Sequence, residues 1–308
     1  MLLDGKRLVI SGVLTSDSIA FAIASQAMEH GAEVILTNAP GRPSSIMGRI
    51  AKRLPRTPVA LVSADVTQPD EMDRLAAETA AQWDHVDGML HAIAFAPGDA
   101  LGGNFLNTPF ESVATAMHVS AYSLKAMAVA LKPLMEKAPS GGSVVSLDFD
   151  AQVAWPIYDW MGPTKAALES VNRYLARDLG PSRIRVNTIS AGPLFTMAGK
   201  SIPGFDTLAG PWQEQAPLGW DVRDPDVVAG TATFLFSDLS RGMTGTILHV
   251  DGGYHAMGAP VTAPRTPRNT QPTQDEDPAR RRGPPAGSPL LSLNPGYWPA
   301  SSTCIKAH

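Results

Sequence analysis

The chain has 308 residues, a formal net charge of −4 and 44% apolar residues, enough for one large α/β domain or two small ones with a sizeable core, and it has no run of about 18 apolar residues that would cross a bilayer. The charge is uneven: residues 261–308 carry five Arg and one Lys against Asp275, Glu276 and Asp277, which leaves −7 on residues 1–260, and an acidic body argues against nucleic-acid binding. The single cysteine, Cys304, excludes an internal disulfide and a cysteine-based zinc site, and none of the seven histidines are paired at metal-ligand spacing, so no metal site is expected.

The opening MLLDGKRLVISG lacks the long apolar region and cleavage site of a signal peptide, and a cytoplasmic protein with no membrane association is expected. Residues 7–11, RLVIS, read as a strand, followed by Gly12 and, from Ser18, a helical pattern. Strand, glycine and helix is the order that a phosphate site needs, because the glycine permits close backbone approach and the free amides of a helix N-terminus attract a pyrophosphate. Ser18 is placed as the helix N-cap. The general Gly-x-Gly-x-x-Gly is absent, so the turn by itself is also readable as an ordinary strand-to-helix connection.

Residues 33–37 read as the second strand, and just beyond it stand Asn38, Ala39, Pro40, Gly41 and Arg42, with no acid to meet an adenosine ribose. Residues 58–64 are a third apolar run ending at Asp65 and Val66; 69–83 are helical, with Pro69 in the first turn. A fourth strand is expected over 86–94, where His91 reads as a hydrogen-bonded core residue, then one long helix over 110–137. A buried strand over 142–147 delivers Asp148 and Phe149 at its carboxyl end.

The stretch that follows places Tyr158 and Lys165 at the mouth of an amphipathic helix. On one continuous helix they would share a face roughly 10 Å apart, too far to bond, yet able to act on one molecule, the Tyr on a reacting oxygen and the Lys on a neighbouring hydroxyl. Taken alone, an isolated pair of this kind reads more readily as a surface pair. Gly162-Pro163 lies between them, and proline in a helix interior costs about 3 kcal/mol. That cost vanishes if the helix begins between Trp160 and Gly162, which puts Tyr158 just before it.

Residues 183–189 form the sixth strand, 225–237 another helix, and 246–250 the last strand, closed by Asp251-Gly252-Gly253. Between them, 197–220 is punctuated by Gly and Pro and carries Met197, Ile202, Phe205 and Leu208, side chains that suit either a mobile lid or packed core. The alternation predicts a single doubly wound parallel sheet with helices on both faces and right-handed crossovers. Ligands in such sheets bind beyond the carboxyl ends of the strands, a rule that gathers Gly12, Asp65, Ile93 and Phe149 along one edge. From Val261 the composition changes, with nine Pro in 48 residues, Arg280-Arg281-Arg282 and no apolar period, the signature of a disordered tail.

The spacing Tyr158-x6-Lys165, with Gly162 where the Tyr-x3-Lys of ordinary short-chain dehydrogenases has its lysine, resembles the enoyl-acyl carrier protein reductases. KAALESVNRYLARDLGP, SAGPL, HVDGGY, HVSAYS, Gly12-x5-Ser18-Ile19-Ala20 and the segment from His91 to Pro97 are similar to the same family, and Phe149, where many bacterial members carry a second Tyr, resembles the mycobacterial-type branch. The resemblance implies a Rossmann-like NAD-binding domain over 1–260, a substrate lid at about 196–220, and a homotetramer. It implies NADH-dependent reduction of a trans-2-enoyl thioester of acyl carrier protein or coenzyme A to the saturated thioester, in fatty-acid synthesis. Carried onto this chain, it assigns the cofactor to Gly12, Ser18, Ile19, Asp65, Val66, Ile93, Lys165, Leu194 and Thr196. Catalysis falls to Tyr158, Lys165 and Phe149, and the substrate to Phe149, Trp155, Tyr158, Met161, Met197 and Ile202. Tyr158 would donate to the thioester oxygen, and Lys165 would hold the ribose hydroxyls and favour the phenolate form of Tyr158.

Ala39, Pro163 and Phe195 depart from the family pattern; position 195 is usually Arg. Two other readings therefore stay open: a 3-ketoacyl reductase, with Ser146 twelve residues before Tyr158, or a nucleotide-binding protein without turnover.

Overall fold

A computed structural model describes residues 1–41, 44–200 and 202–259. Arg42 and the tail expected over 261–308 lie outside the described residues. The strands are β1 (Arg7–Ser11), β2 (Glu33–Asn38), β3 (Ala60–Ser63), β4 (Gly88–His91), β5 (Ser143–Asp148), β6 (Arg185–Ala191) and β7 (Ile247–Val250). The helices are α1 (Ile19–Glu29), α2 (Ser44–Ala51), α3 (Pro69–Gln82), α4 (Phe110–Met117), α5 (Ser123–Met135), α6 (Met161–Leu179), α7 (Met197–Lys200), α8 (Phe205–Gln215) and α9 (Asp226–Phe236). All strand pairings are parallel, in the order β3-β2-β1-β4-β5-β6-β7.

The sheet is covered on both faces, which is why its strands read as continuous apolar runs rather than alternating ones. Leu8 and Ile10 of β1 point to the face packed by α1 and α9, while Val9 points to the face packed by α3, α5 and α6. Val9 stands in register with Ile35 of β2 and Met89 of β4. Because β1 lies between β2 and β4, the winding reverses there, and the crevice beyond the carboxyl ends of β1 and β4 is where such sheets hold their ligands.

Three elements differ from the sequence expectation. β4 ends at His91 rather than Ala94, because the Ala92 amide turns to the Ser11 hydroxyl at 3.1 Å instead of continuing the ladder. The helix expected over 110–137 is divided by a π-wound turn at His118–Tyr122. From that turn the Ser120 hydroxyl bonds both the amide and the carbonyl of Phe95, at 2.9 and 3.0 Å. Finally, much of the Gly/Pro-punctuated stretch after Thr196 is helical: α8 forms because Phe205, Leu208, Ala209 and Trp212 fall at helical spacing and are all buried.

Candidate active site

The presentation of Tyr158 starts from the helix behind it. α6 begins at Met161 with Trp160 as its cap, so Pro163 occupies the first turn, where a backbone amide has no helical acceptor to lose. Tyr158 sits in the turn just before, between two residues in the left-handed region, Ile157 at φ 61° and Asp159 at φ 40°. Such conformations cost about 1–3 kcal/mol each and persist only where neighbours enforce them. Here the neighbour is the loop around residues 98–105. The Gly102 amide donates to the Ile157 carbonyl at 2.9 Å, and Asp159 Oδ2 accepts from the amides of Gly103 and Asn104 at 2.7 and 2.8 Å. The Trp160 indole donates to the Phe105 carbonyl and stacks on its ring at 4.9 Å.

Around the phenol lies an aromatic chamber. Phe149 meets Tyr158 edge-on at 5.1 Å, Trp155 at 5.1 Å and Trp212 at 5.6 Å, while Trp212 stacks on Tyr254 at 3.9 Å. Leu101, Met161, Leu208 and Ala216 complete the buried cluster, with Trp155 and Ile202 among the residues packed against it. Five of the six expected substrate residues therefore come together; Met197 is 40% exposed and stands outside this cluster. Trp212 and Tyr254 were not anticipated. The helical spacing of Phe205, Leu208 and Trp212 carries the signal for the first of them, masked by Gly204, Gly210 and Pro211. A cavity of about 390 Å³ borders the chamber, lined by Trp155, Leu208, Pro211, Tyr254, Asp150 and His255 among others.

Lys165 is buried one turn into α6, and its Nζ donates to the Leu147 carbonyl at 2.8 Å and lies 3.7 Å from Asp148 Oδ1. Burial pushes the Lys165 ammonium down, and Asp148 opposes that. The Asp148 carboxyl is raised to about 7, first by burial and further by Glu169, with Lys165 pulling the other way. The Tyr158 phenol is pushed up by burial and then by the Asp148 charge. Its surroundings thus favour the neutral O–H, a correction to the expectation that Lys165 promotes the phenolate. His91 is a core residue as expected: it bonds Ser123 Oγ at 2.7 Å, and burial followed by the Lys165 charge lowers it to about 3, so it stays neutral. Ser146 is buried and shares a hydrogen bond with Thr188 at 2.6 Å.

The edge of the sheet suits a dinucleotide. Gly12 has φ +85°, and a Cβ there would fall 2.1 Å from the Ala92 carbonyl oxygen, so only glycine lets β1 and β4 exit side by side. Ser18 caps α1 by accepting from the Phe21 amide, and the earlier amides of Ile19 and Ala20 have no intrahelical acceptor, an arrangement that could hold an anion such as a pyrophosphate. Asp65 follows β3 with its Oδ1 bonded by the amide and hydroxyl of Thr67 at 2.9 and 2.7 Å. Ile19 and Leu194 belong to the cluster on one face of the sheet, Val66 and Ile93 to that on the other. Thr196 Oγ1 accepts from the Gly199 amide at 3.1 Å, which leaves its proton to donate. Phe195, in the place of the family Arg, is anchored otherwise: its amide donates to Val222 at 2.7 Å, its ring lies 5.8 Å from Phe205, and Lys200 sits 4.6 Å above it.

Among the described residues, His249, Asp251 and His255 form a group of possible metal ligands that spacing did not suggest. The two imidazoles are stacked at 3.8 Å and 13°, so their lone pairs lie in separate, nearly parallel planes rather than converging on one ion. The Asp251 carboxylate is occupied by the amides of Gly253 and His255.

The family model described as Enoyl-(Acyl carrier protein) reductase matches residues 12–255. An enoyl-[acyl-carrier-protein] reductase [NADH] of Mycolicibacterium smegmatis is 40% identical over 267 residues, covering 82% of this chain and 97% of the relative. One from Bacillus subtilis is 40% identical over 254 residues with the same coverage, and one from Neisseria meningitidis is 40% identical over 254 residues, covering 82% of this chain and 95% of the relative. With a match that spans the Gly12 turn, the Tyr158 turn and the last strand, the chain belongs to the enoyl-(acyl carrier protein) reductase family.

Proposed function

We propose that this protein is an NADH-dependent enoyl-acyl carrier protein reductase of fatty-acid synthesis. It would act on a trans-2-enoyl thioester of acyl carrier protein, or of coenzyme A as a surrogate, through residues 1–260. The observation that carries the proposal is a neutral phenol, Tyr158, held by a strained turn inside an aromatic chamber, with a buried lysine, Lys165, one turn into the helix that follows. NADH, when bound, would supply a hydride for the β-carbon of the enoyl thioester, with the balancing proton coming from solvent. As negative charge grows on the thioester oxygen, the Tyr158 O–H donates to it, an electrostatic stabilisation strengthened by the dry surroundings. Phe149 and Trp155 wall the acyl chain, with Met161 and Ile202. Lys165, with donors left over after its bond to Leu147, would hold the ribose hydroxyls. Gly12 and the first amides of α1 would take the pyrophosphate, Asp65 and Val66 the adenine, and Ile93, Leu194 and Thr196 the nicotinamide half.

A ketoreductase finds less support: Gly162 offers no ammonium at the shorter spacing, and the Ser146 hydroxyl is committed to Thr188. Following NADH oxidation with an enoyl thioester and, in parallel, a 3-ketoacyl thioester separates the readings. Only the first should turn over; NADH binding with neither substrate consumed would leave a nucleotide-binding protein. Tyr158→Phe should lower turnover far more than NADH affinity, and Lys165→Ala should damage NADH binding itself. Equal loss of cofactor affinity in both variants would sink that division of labour.

A further inference from the structure

The polar groups behind Lys165 do not balance as drawn with ordinary ionisation. Asp148 and Glu169 are both buried, and neither oxygen of Asp148 nor Oε1 of Glu169 has a hydrogen-bond partner among the described residues. Glu169 is also among the groups that raise the Asp148 carboxyl, both through its charge and through its side chain. Two carboxylates offer only acceptors, so a buried pair of them must leave oxygens orphaned and two like charges adjacent. A single retained proton removes both difficulties by turning one group into a donor. Lys165 and Glu169 are one turn apart on α6, on the same face, and Lys165 Nζ is 3.7 Å from Asp148 Oδ1.

We propose that Asp148 and Glu169 share one proton, and that the single negative charge left on the pair is what keeps the buried Lys165 ammonium charged and able to bind the cofactor ribose. Asp148 and Glu169 are positioning residues that act through Lys165. The inference rests on the proposed function only in assigning Lys165 to the ribose.

The surrounding groups leave this task to the pair. His91 from β4 is buried and neutral, and Tyr158 is a neutral phenol. Arg173 reaches Glu169 Oε2 at 3.6 Å but its side chain is 54% exposed, so solvent screens it. Of the elements packed on α6, α4 carries Glu111 and the π turn His118, both exposed, with Tyr122 beside them. α5 carries Lys125, seated over the Tyr122 ring, and Lys132, paired with Glu136 at 2.6 Å. Arg185 stands at the opposite end of β6, bonded to the Leu235 carbonyl at 2.7 Å. Among the described residues, Lys165 therefore has no counter-ion other than the pair.

The test is NADH affinity from pH 6 to pH 9, read by protein fluorescence, on the full chain and on Glu169→Gln, Asp148→Asn, the double variant and Lys165→Ala. Wild type and Glu169→Gln, each with one charge on the pair, should hold affinity within about twofold across the range. The double variant leaves Lys165 without a counter-ion, and its affinity should fall by about tenfold or more as pH rises and the ammonium loses its proton. A double variant with the flat profile of wild type, while Lys165→Ala binds weakly, overturns the inference and leaves the ribose role standing. If Lys165→Ala binds NADH as tightly as wild type, the ribose role and the inference are both wrong. The infrared spectrum decides independently of whether the double variant folds. Wild type at neutral pH should show a carboxylic-acid carbonyl band that disappears in each single variant, and absence of that band overturns the shared proton.

Discussion

Replacing Gly12 by alanine tests how tightly the first turn is built. The left-handed φ of +85° costs a non-glycine residue about 1–2 kcal/mol. The new Cβ would fall 2.1 Å from the Ala92 carbonyl oxygen and 3.0 Å from its carbonyl carbon, so it collides with backbone and cannot be absorbed by a rotamer change. One strand end must give way by about an ångström, and the two ends are tied by the Ser11 hydroxyl, which donates to Leu90 at 2.7 Å and accepts from the Ala92 amide at 3.1 Å. Losing those two bonds costs about 1 kcal/mol each. The expected destabilisation is then about 3–4 kcal/mol, a drop in melting temperature on the order of 10 °C for a domain of this size. Ser11→Ala, which removes the bonds without the collision, should lose about half as much. Calorimetry with and without NADH reads both effects. A Gly12→Ala protein that melts within about 2 °C of wild type and binds NADH equally well would refute the account.

Asp159→Ala removes the acceptor for the amides of Gly103 and Asn104, so Ile157 and Asp159 relax from the left-handed region; turnover should fall at least tenfold with NADH affinity kept, as separate kinetic and binding titrations would show. Trp155, Trp212 and Tyr254 fill the chamber, so short and medium acyl chains should be preferred, and Trp212→Ala should shift preference to longer ones at about 0.8 kcal/mol per accommodated CH2, measured as kcat/KM along a chain-length series. His91 is lowered to about 3 in the fold against about 6.5 unfolded, so the unfolded chain takes up a proton first as pH falls. Stability should drop by up to about 1.4 kcal/mol per pH unit between those values, and denaturant titrations of His91→Asn should show a shallower slope.

The parallel sheet was legible because burial on both faces makes its strands unmistakable apolar runs, and Tyr158 was placed ahead of α6 because Pro163 permits no earlier start. What escaped is what depends on long-range contact. The left-handed turn around Tyr158 is imposed by residues about 55 positions earlier, and nothing in Ile157 or Asp159 announces it. The extent of β4 is decided by a hydroxyl on β1. Trp212 was hidden by the glycine and proline residues that flank its helical period, and Asp148 by its neighbour: the reading of residues 142–149 stopped at Phe149 and gave no part to the carboxyl before it.

The π turn between α4 and α5 is where that rod takes up an extra residue. It holds one residue more than an α-helical path would, so deleting any one of His118–Tyr122 would restore the regular ladder with Val113 and Ala116 of α4 still on their buried face. The loss would fall on the turn itself, where the Ser120 hydroxyl holds the amide and carbonyl of Phe95. A single-codon deletion here thus spares the two helices and costs the anchor of Phe95, whereas a deletion at Gly102–Gly103 removes an amide that holds the turn around Tyr158. Length in this rod is as much a specified quantity as sequence.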